Sequence, residues 1–343
     1  MCIRDRNRTS GRIGGNLKLE HAPTIDLSSA FGGTDSDRLE VAMQIDSACR
    51  ATGFFVAIGH GVEETLLENV INASREFFHL PISEKAKVSP PGPNHFRGYL
   101  GLDTTALAST LEIETPPDLC ESFNVSRFDD PVMRSKVEQP GAEAVFCENM
   151  WPENPEILRT AYETYFAEME HLCSEILKLM AIALELPEDW FDDKFEQPTS
   201  LLMANWYPPV TGEVFSGQLR RGEHTDYGAF TIVAPEQIPG LQISVDNQWV
   251  DVKLVENGYV INIGDLLARW TNDRWTSTLH RVVLPDESNH RQRDRISIPF
   301  FFQPSYTAEI KTIPTTVDEY KKSSYEPVIS GEWITAKSMS MLE

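Results

Sequence analysis

The chain has 343 residues, with 52 acidic against 30 basic side chains and a formal net charge of -22. That balance argues against nucleic acid as a partner, because phosphate binding needs a positive field, and no apolar run approaches the length of a membrane span. The five cysteines, Cys2, Cys49, Cys120, Cys147 and Cys173, lack Cys-x-x-Cys spacing; this speaks against a zinc ribbon or disulfide scaffold and for reduced thiols in a cytoplasmic protein.

The first residues, MCIRDRNRTSGRIGGN, are basic and carry no apolar stretch. They do not read as a secretory signal, and residues 1–22 are expected to form a disordered extension. Order begins near Pro23, with a short strand over 24–27. Ser36 or Asp37 is placed to cap a helix that runs on Leu39, Ala42, Met43 and Ile45 and stops at Gly53. Residues 54–58 read as a strand closed by Gly59-His60-Gly61. A second helix spans about 63–79, ended by Pro81, and Pro90, Pro91 and Pro93 mark a loop. The longest helical signal, from Pro155 to about Leu186, carries Leu158, Tyr162, Tyr165, Phe166, Met169, Leu172, Ile176, Leu177 and Met180 at helical spacing, a stripe that packing alone explains.

From about Leu201 short runs rich in Val, Ile, Phe and Trp alternate with turn residues. The runs are 230–233, 241–245, 249–252, 259–263, 278–283 and 296–302, and Asp246-Asn247 and Asn272-Asp273 each read as a hairpin turn. Many short strands at close spacing suggest a barrel or double-sheet jelly roll with flanking helices, hence a mixed α+β fold. The chain divides into the extension (1–22), an N-terminal region (23–150), a connecting helix region (151–195), a jelly-roll core (196–310) and a C-terminal segment (311–343).

Three polar pairs in the strand-rich half are spaced two apart: His224 and Asp226, Arg295 and Ser297, Asn205 and Tyr207. In extended chain such residues face one side of a sheet, where burial without a partner is costly. His-x-Asp alone occurs often by chance, but His280 follows 54 residues after Asp226 in another strand-like run. Two imidazoles and a carboxylate make the facial triad that suits iron(II) and leaves coordination positions open. Arg295 beside Ser297 suits a carboxylate; an arginine paired with a surface acid at a barrel end is the alternative. Asn205 and Tyr207 add donors, or simply close a strand at a Tyr-Pro-Pro turn.

Several ordered segments carry a resemblance: Gly222-Glu223-His224-Thr225-Asp226-Tyr227-Gly228, Pro239-Gly240-Leu241-Gln242, Asn262-Ile263-Gly264-Asp265, Ser277-Thr278-Leu279-His280-Arg281-Val282 and Arg295-Ile296-Ser297. In the front half, Ile25-Asp26-Leu27, Gly53-Phe54-Phe55-Val56, His60-Gly61-Val62, Arg97-Gly98-Tyr99 and Glu121-Ser122-Phe123 fall in matching order. From about residue 23 to about 335 the chain resembles the isopenicillin N synthase-like family of Fe(II)/2-oxoglutarate-dependent dioxygenases. The resemblance implies a double-stranded β-helix core, with iron(II), 2-oxoglutarate and dioxygen as cofactor and co-substrates. By motif, His224, Asp226 and His280 would hold iron; Arg295, Ser297, Tyr207 and Asn205 would meet 2-oxoglutarate. Succinate and carbon dioxide would accompany oxidation of a C–H bond in a small-molecule substrate.

An iron oxidase of the isopenicillin N synthase or aminocyclopropanecarboxylate oxidase type, which uses no 2-oxoglutarate, shares the triad and the Arg-x-Ser pair. A zinc hydrolase or a non-catalytic sensor on the same fold would use the ligands differently. Candidate substrate contacts are His95, Arg97, Phe123, Met203 and Phe301, the last sharing strand parity with Arg295 and Ser297. His60 and His79 read as structural, and His21, His171 and His290 as surface or core residues. Arg220-Arg221 reads as a solvated basic turn, with attraction of an acidic substrate as the alternative.

Overall fold

The computed structural model describes residues 21–92, 95–102, 107, 116–129, 131–139, 142–153, 156–210, 214–285 and 288–340. Residues 1–20 of the extension expected over 1–22, together with Pro93 and Pro155, lie outside them. The N-terminal half contributes strands β1 (Thr24–Asp26), β2 (Phe54–Ile58), β3 (Gly98–Leu100) and β4 (Glu121–Val125). It also holds helices α1 (Ser28–Gly32), α2 (Asp35–Ala51), α3 (Glu64–Phe78), α4 (Ile82–Lys85) and α5 (Pro131–Val137). The apolar stripe beyond Pro155 forms α6 (Glu156–Ala183), a helix of 28 residues that packs on α2 and α3.

The cap of α2 differs from the sequence expectation. Thr34 is the N-cap: its hydroxyl accepts the Asp37 N–H, and the Asp37 carboxylate accepts the Thr34 N–H in return. Asp37 is thus the reciprocal partner in a capping box, and Ser36 lies inside the helix.

The strand-rich half supplies β5 (Leu201–Tyr207), β6 (Arg221–His224), β7 (Phe230–Pro235), β8 (Leu241–Val245), β9 (Gln248–Asp251), β10 (Tyr259–Ile263), β11 (His280–Val282) and β12 (Arg295–Phe302). Helices α7 (Asp265–Trp270) and α8 (Ser288–Arg291) intervene; β13 (Glu309–Ile310), β14 (Val328–Ile329) and α9 (Ser330–Ser340) follow. Asp246 and Asn247, both at positive φ, turn β8 into β9 as expected. Asn272 and Asp273 do not form a hairpin. Residues 265–270 are helical, and the positive-φ pair closes α7, the Asp273 N–H bonding back to Ala268 O and the Asn272 N–H to Arg269 O. Left-handed backbone ends helices as readily as it turns hairpins.

Two sheets face each other as a jelly roll. The larger runs β1-β2-β10-β7-β12-β5-β4-β3 and the smaller β6-β11-β8-β9, so strands of both halves of the chain share one sheet. Period-two alternation sorts the faces of the larger sheet. On β12, Ile296, Ile298, Phe300 and Phe302 enter the core on the helix-covered side, while Arg295, Ser297, Pro299 and Phe301 line a cavity between the sheets. On β5, Leu202 and Ala204 are core, whereas Met203, Asn205 and Tyr207 face the cavity. Full burial of each large apolar side chain contributes about 1.5–3 kcal/mol, so the outer face holds the register that aims the polar residues inward. Phe123, a candidate substrate contact, falls on the core face of β4 against Phe77 and Tyr162. Its parity places it away from the cavity.

Candidate metal and co-substrate site

His224 ends β6 and His280 begins β11, and the two are direct partners in register. The next pair is Val282 with Arg221, three residues along β6 against two along β11. This irregularity is a β-bulge. It rotates Arg221 onto the face of His224, where strict alternation would put Gly222 and Arg220. Asp226 lies beyond the end of β6, so its carboxylate enters through the turn into β7, not through strand alternation. The Asp265 N–H holds that turn by bonding to Asp226 O at 2.7 Å. Gly264 is required beside it, because a Cβ there would lie 2.3 Å from Gly228 O.

The ligand atoms of His224, Asp226 and His280 all lie within 4.8 Å of one another. Asp226 Oδ1 is 3.8 Å from His224 Nε2 and 3.7 Å from His280 Nε2. Each Nδ1 faces a backbone carbonyl: Gly222 O at 2.7 Å for His224 and Thr278 O at 3.1 Å for His280. A carbonyl only accepts, so Nδ1 carries the proton and Nε2 turns its lone pair inward. Asp226 Oδ2 accepts Thr231 Oγ1 at 2.5 Å and Asn262 Nδ2 at 2.7 Å, leaving Oδ1 for the centre. Burial, reinforced by His280, pushes His224 down to about 3 and keeps it neutral. Burial would raise Asp226, but the two imidazoles and the bonds from Asn262 and Thr231 outweigh it, and its carboxyl sits below the ordinary range. Three lone-pair donors converge with no proton between them. That repulsion is relieved by a cation, and the donor set fits iron(II).

In the same cavity Arg295 pairs with Tyr207 and Ser297 with Asn205 across β12 and β5. Arg295 is 2% exposed. Its Nε donates to Ile238 O at 3.1 Å, and its guanidinium lies 5.0 Å from the centre of the Tyr207 ring. Its Nη1 has no partner among the described residues. Tyr207 Oη is 3.5 Å from Ser297 Oγ, and the Asn205 carbonyl oxygen accepts Ser122 Oγ at 2.8 Å. An unpartnered guanidinium N–H beside two hydroxyls is a receptor for a carboxylate.

Met203 and Phe301 also line this inner cavity. His95 and Arg97 line a second, outer chamber that meets the first along Leu201, Met203, Gln303, Ile334 and Ser338. The basic pair is not a solvated turn: Arg220 is 0% and Arg221 8% exposed. Arg221 faces Asp118 at 4.0 Å, and the Arg220 guanidinium lies 5.7 Å from the Tyr207 ring centre. The bulge and the inward packing of β6 explain this burial. Thr231, Asn262 and Arg221 escape the sequence reading as site residues. Asn262 stands in a family-like segment, but nothing in its spacing announces a bond to Asp226.

Two family models match the chain: a non-haem dioxygenase N-terminal model over residues 22–154 and the 2OG-Fe(II) oxygenase superfamily over residues 198–304. Validamycin A dioxygenase of Streptomyces hygroscopicus subsp. limoneus is 32% identical, covering 93% of this chain and 86% of the relative. A full-length Neurospora crassa protein, crystallised with alpha-KG and thymine, superposes with a TM-score of 0.81 at 31% identity, covering 92% of this chain and 96% of that one. JOX2 with 2OG, Fe and JA superposes at 0.73 with 25% identity, covering 94% and 89%.

Proposed function

The chain belongs to the 2OG-Fe(II) oxygenase superfamily, and from that premise we propose that His224, Asp226 and His280 hold iron(II) while Arg295, Ser297 and Tyr207 seat the far carboxylate of 2-oxoglutarate. The protein is a 2-oxoglutarate-dependent dioxygenase acting on a small molecule. The single observation that carries the residue assignment is the convergence of the donor atoms of His224, Asp226 and His280 in the cavity that also holds Arg295 Nη1, which has no partner among the described residues. Bound iron supplies the redox chemistry, coupling dioxygen reduction to decarboxylation of 2-oxoglutarate and oxidation of a substrate C–H bond.

The chain's own residues do the positioning. Gly222 O and Thr278 O fix both imidazole tautomers, and Thr231 and Asn262 fix which Asp226 oxygen faces the centre. Arg295 neutralises the far carboxylate, and Asn205, its carbonyl oxygen held by Ser122, lines the cavity beside Ser297. Met203, shared by the two chambers, and Phe301 of the inner cavity offer the substrate apolar surface. The reading without 2-oxoglutarate is not favoured, since related structures bind alpha-KG. Among the described residues no helix is long and apolar enough to cross a membrane; the buried thiols of Cys49, Cys120 and Cys173 support assignment to the cytoplasm.

The test is succinate release from purified protein with iron(II) and 2-oxoglutarate. We expect release that requires the metal. Stoichiometric iron binding without any 2-oxoglutarate turnover, alone or with candidate substrates, would overturn the co-substrate assignment.

A further inference from the structure

The outer chamber is lined by the 95–101 segment, Asn124 of β4, Val145, the start of β5 and one side of α9. Three side-chain atoms of this lining are buried without a partner among the described residues: Arg97 Nε, His95 Nδ1 and Asn124 Oδ1. Arg97 is 3% exposed. Its Nη1 and Nη2 are fixed by Phe96 O and Val145 O, both at 2.8 Å, so the guanidinium is rigid and its Nε–H is left over. Among the described residues lining the chamber it is the one charged side chain. Of the acids around it, Asp129 acts on Arg97 only through its charge, and both it and Glu121 spend their hydrogen bonds elsewhere. Glu121 accepts Lys85 Nζ at 2.5 Å and Tyr99 Oη at 2.8 Å. Asp129 accepts the Asn149 N–H and the Trp151 indole.

A buried cation bonded only to neutral carbonyls keeps most of its desolvation cost, several kcal/mol in general, until an anion meets it. The rest of the lining, from Leu201 and Met203 to Ile334, is apolar and leads to the inner cavity. We propose that the outer chamber takes a small carboxylic acid with an apolar body, its oxyanion on Arg97 with His95 beside it, and its body reaching past Met203 toward the inner cavity. The oxidised carbon is then remote from the carboxylate. This rests on the 2-oxoglutarate dioxygenase reading only for the chemistry at the inner end.

The experiment titrates matched carboxylic acids and primary amides (butanoate to decanoate, phenylacetate and their amides) into the Mn(II)- and 2-oxoglutarate-loaded protein by calorimetry. At least one acid is expected to bind about tenfold or more tightly than its amide, the scale of a charge-assisted bond. Arg97→Met is expected to erase the difference while its melting transition stays cooperative. Asn124→Asp, nearly isosteric, places a second carboxylate in the same chamber and is expected to erase it as well. That variant decides the matter if Arg97→Met does not fold. Amides binding as tightly as acids across the panel, or an acid preference that survives Asn124→Asp, would overturn the proposal. Uncoupled succinate release by the wild-type protein is scored separately. Acid selectivity without succinate removes the co-substrate reading and keeps this one, and succinate without acid selectivity does the reverse.

Discussion

The inner and outer chambers share a wall of the large sheet but are built by different rules. Inner residues sit on strands or at their ends, and their side chains are held by bonds to backbone or to a second polar group: Nδ1 of both histidines on carbonyls, Asp226 on Thr231 and Asn262, Arg295 on Ile238 O. Outer residues come from the 95–101 segment, the end of β4 and the C-terminal helix, far apart in sequence, and several of their polar atoms are left unmatched.

The largest effect should come from His280→Ala. Removing one of the three proposed ligands, and exposing the Asp226 carboxylate to water, is expected to abolish stoichiometric metal binding, read by Mn(II) electron paramagnetic resonance. Metal retained near full occupancy would overturn the ligand role proposed for His280. Next, Arg295→Met should leave the metal bound and weaken 2-oxoglutarate by roughly 30-fold or more, the ~2–5 kcal/mol typical of truncating one partner of a buried charge pair. An unchanged co-substrate affinity, measured anaerobically with iron(II), would move the anion receptor elsewhere.

How legible these chambers are in the sequence follows from the same contrast. Arg295 and Ser297 stand out because strand parity is local; His224 and Asp226 stand out by their short spacing alone, since Asp226 reaches the cavity through a turn and not by alternation. His280 is readable because its run is strand-like and the triad has a known chemistry. Arg221 is misread because the bulge in β6 breaks the alternation on which parity depends, and nothing local marks it. Phe123 is misread for the opposite reason: parity is decisive, but it needs the knowledge that β4 joins β5 in one sheet, a contact between strands far apart in the chain. Asn272-Asp273 shows the limit of turn chemistry, since positive φ ends a helix there. Asn124 and Ile334 meet in the outer chamber only through tertiary packing.

A smaller effect sharpens the contrast further. Thr231→Val keeps the volume of the side chain and removes one of the two bonds to Asp226 Oδ2. Losing such a supporting partner typically costs about 10–100-fold in metal affinity, and with Asn262 still in place the lower end is expected. Competition with a calibrated chelator would read it. A loss as large as that of His280→Ala would mean Thr231 is itself a ligand.

The smallest effect should come from outside both chambers. Arg75 on α3 bonds Glu236 at 2.5 Å and Asp294 at 3.3 Å; Glu236 also accepts the Ile296 N–H at 2.6 Å, and Asp294 precedes Arg295. Arg75→Met loosens the ends of β7 and β12 without touching the cavity, so 2-oxoglutarate should weaken only a few-fold, on the order of 1 kcal/mol as for a partly exposed network, and metal binding should not change. The change also has a pH signature. Burial pushes Asp294 upward, but the Trp206 indole and Arg75 outweigh it, leaving its folded pKa depressed. A depressed carboxylate contributes stability that is present above its unfolded pKa, about 4, and is lost as pH falls through the lower folded value. Removing Arg75 raises the folded pKa toward the unfolded one, so the variant should lose less stability than the wild-type protein between about pH 4 and more acidic values, while being the less stable of the two at neutral pH. Parallel urea-denaturation curves at about pH 7 and pH 3.5 would read both. A stability difference that stays constant across that range would deny Asp294 its place in the frame that holds Arg295.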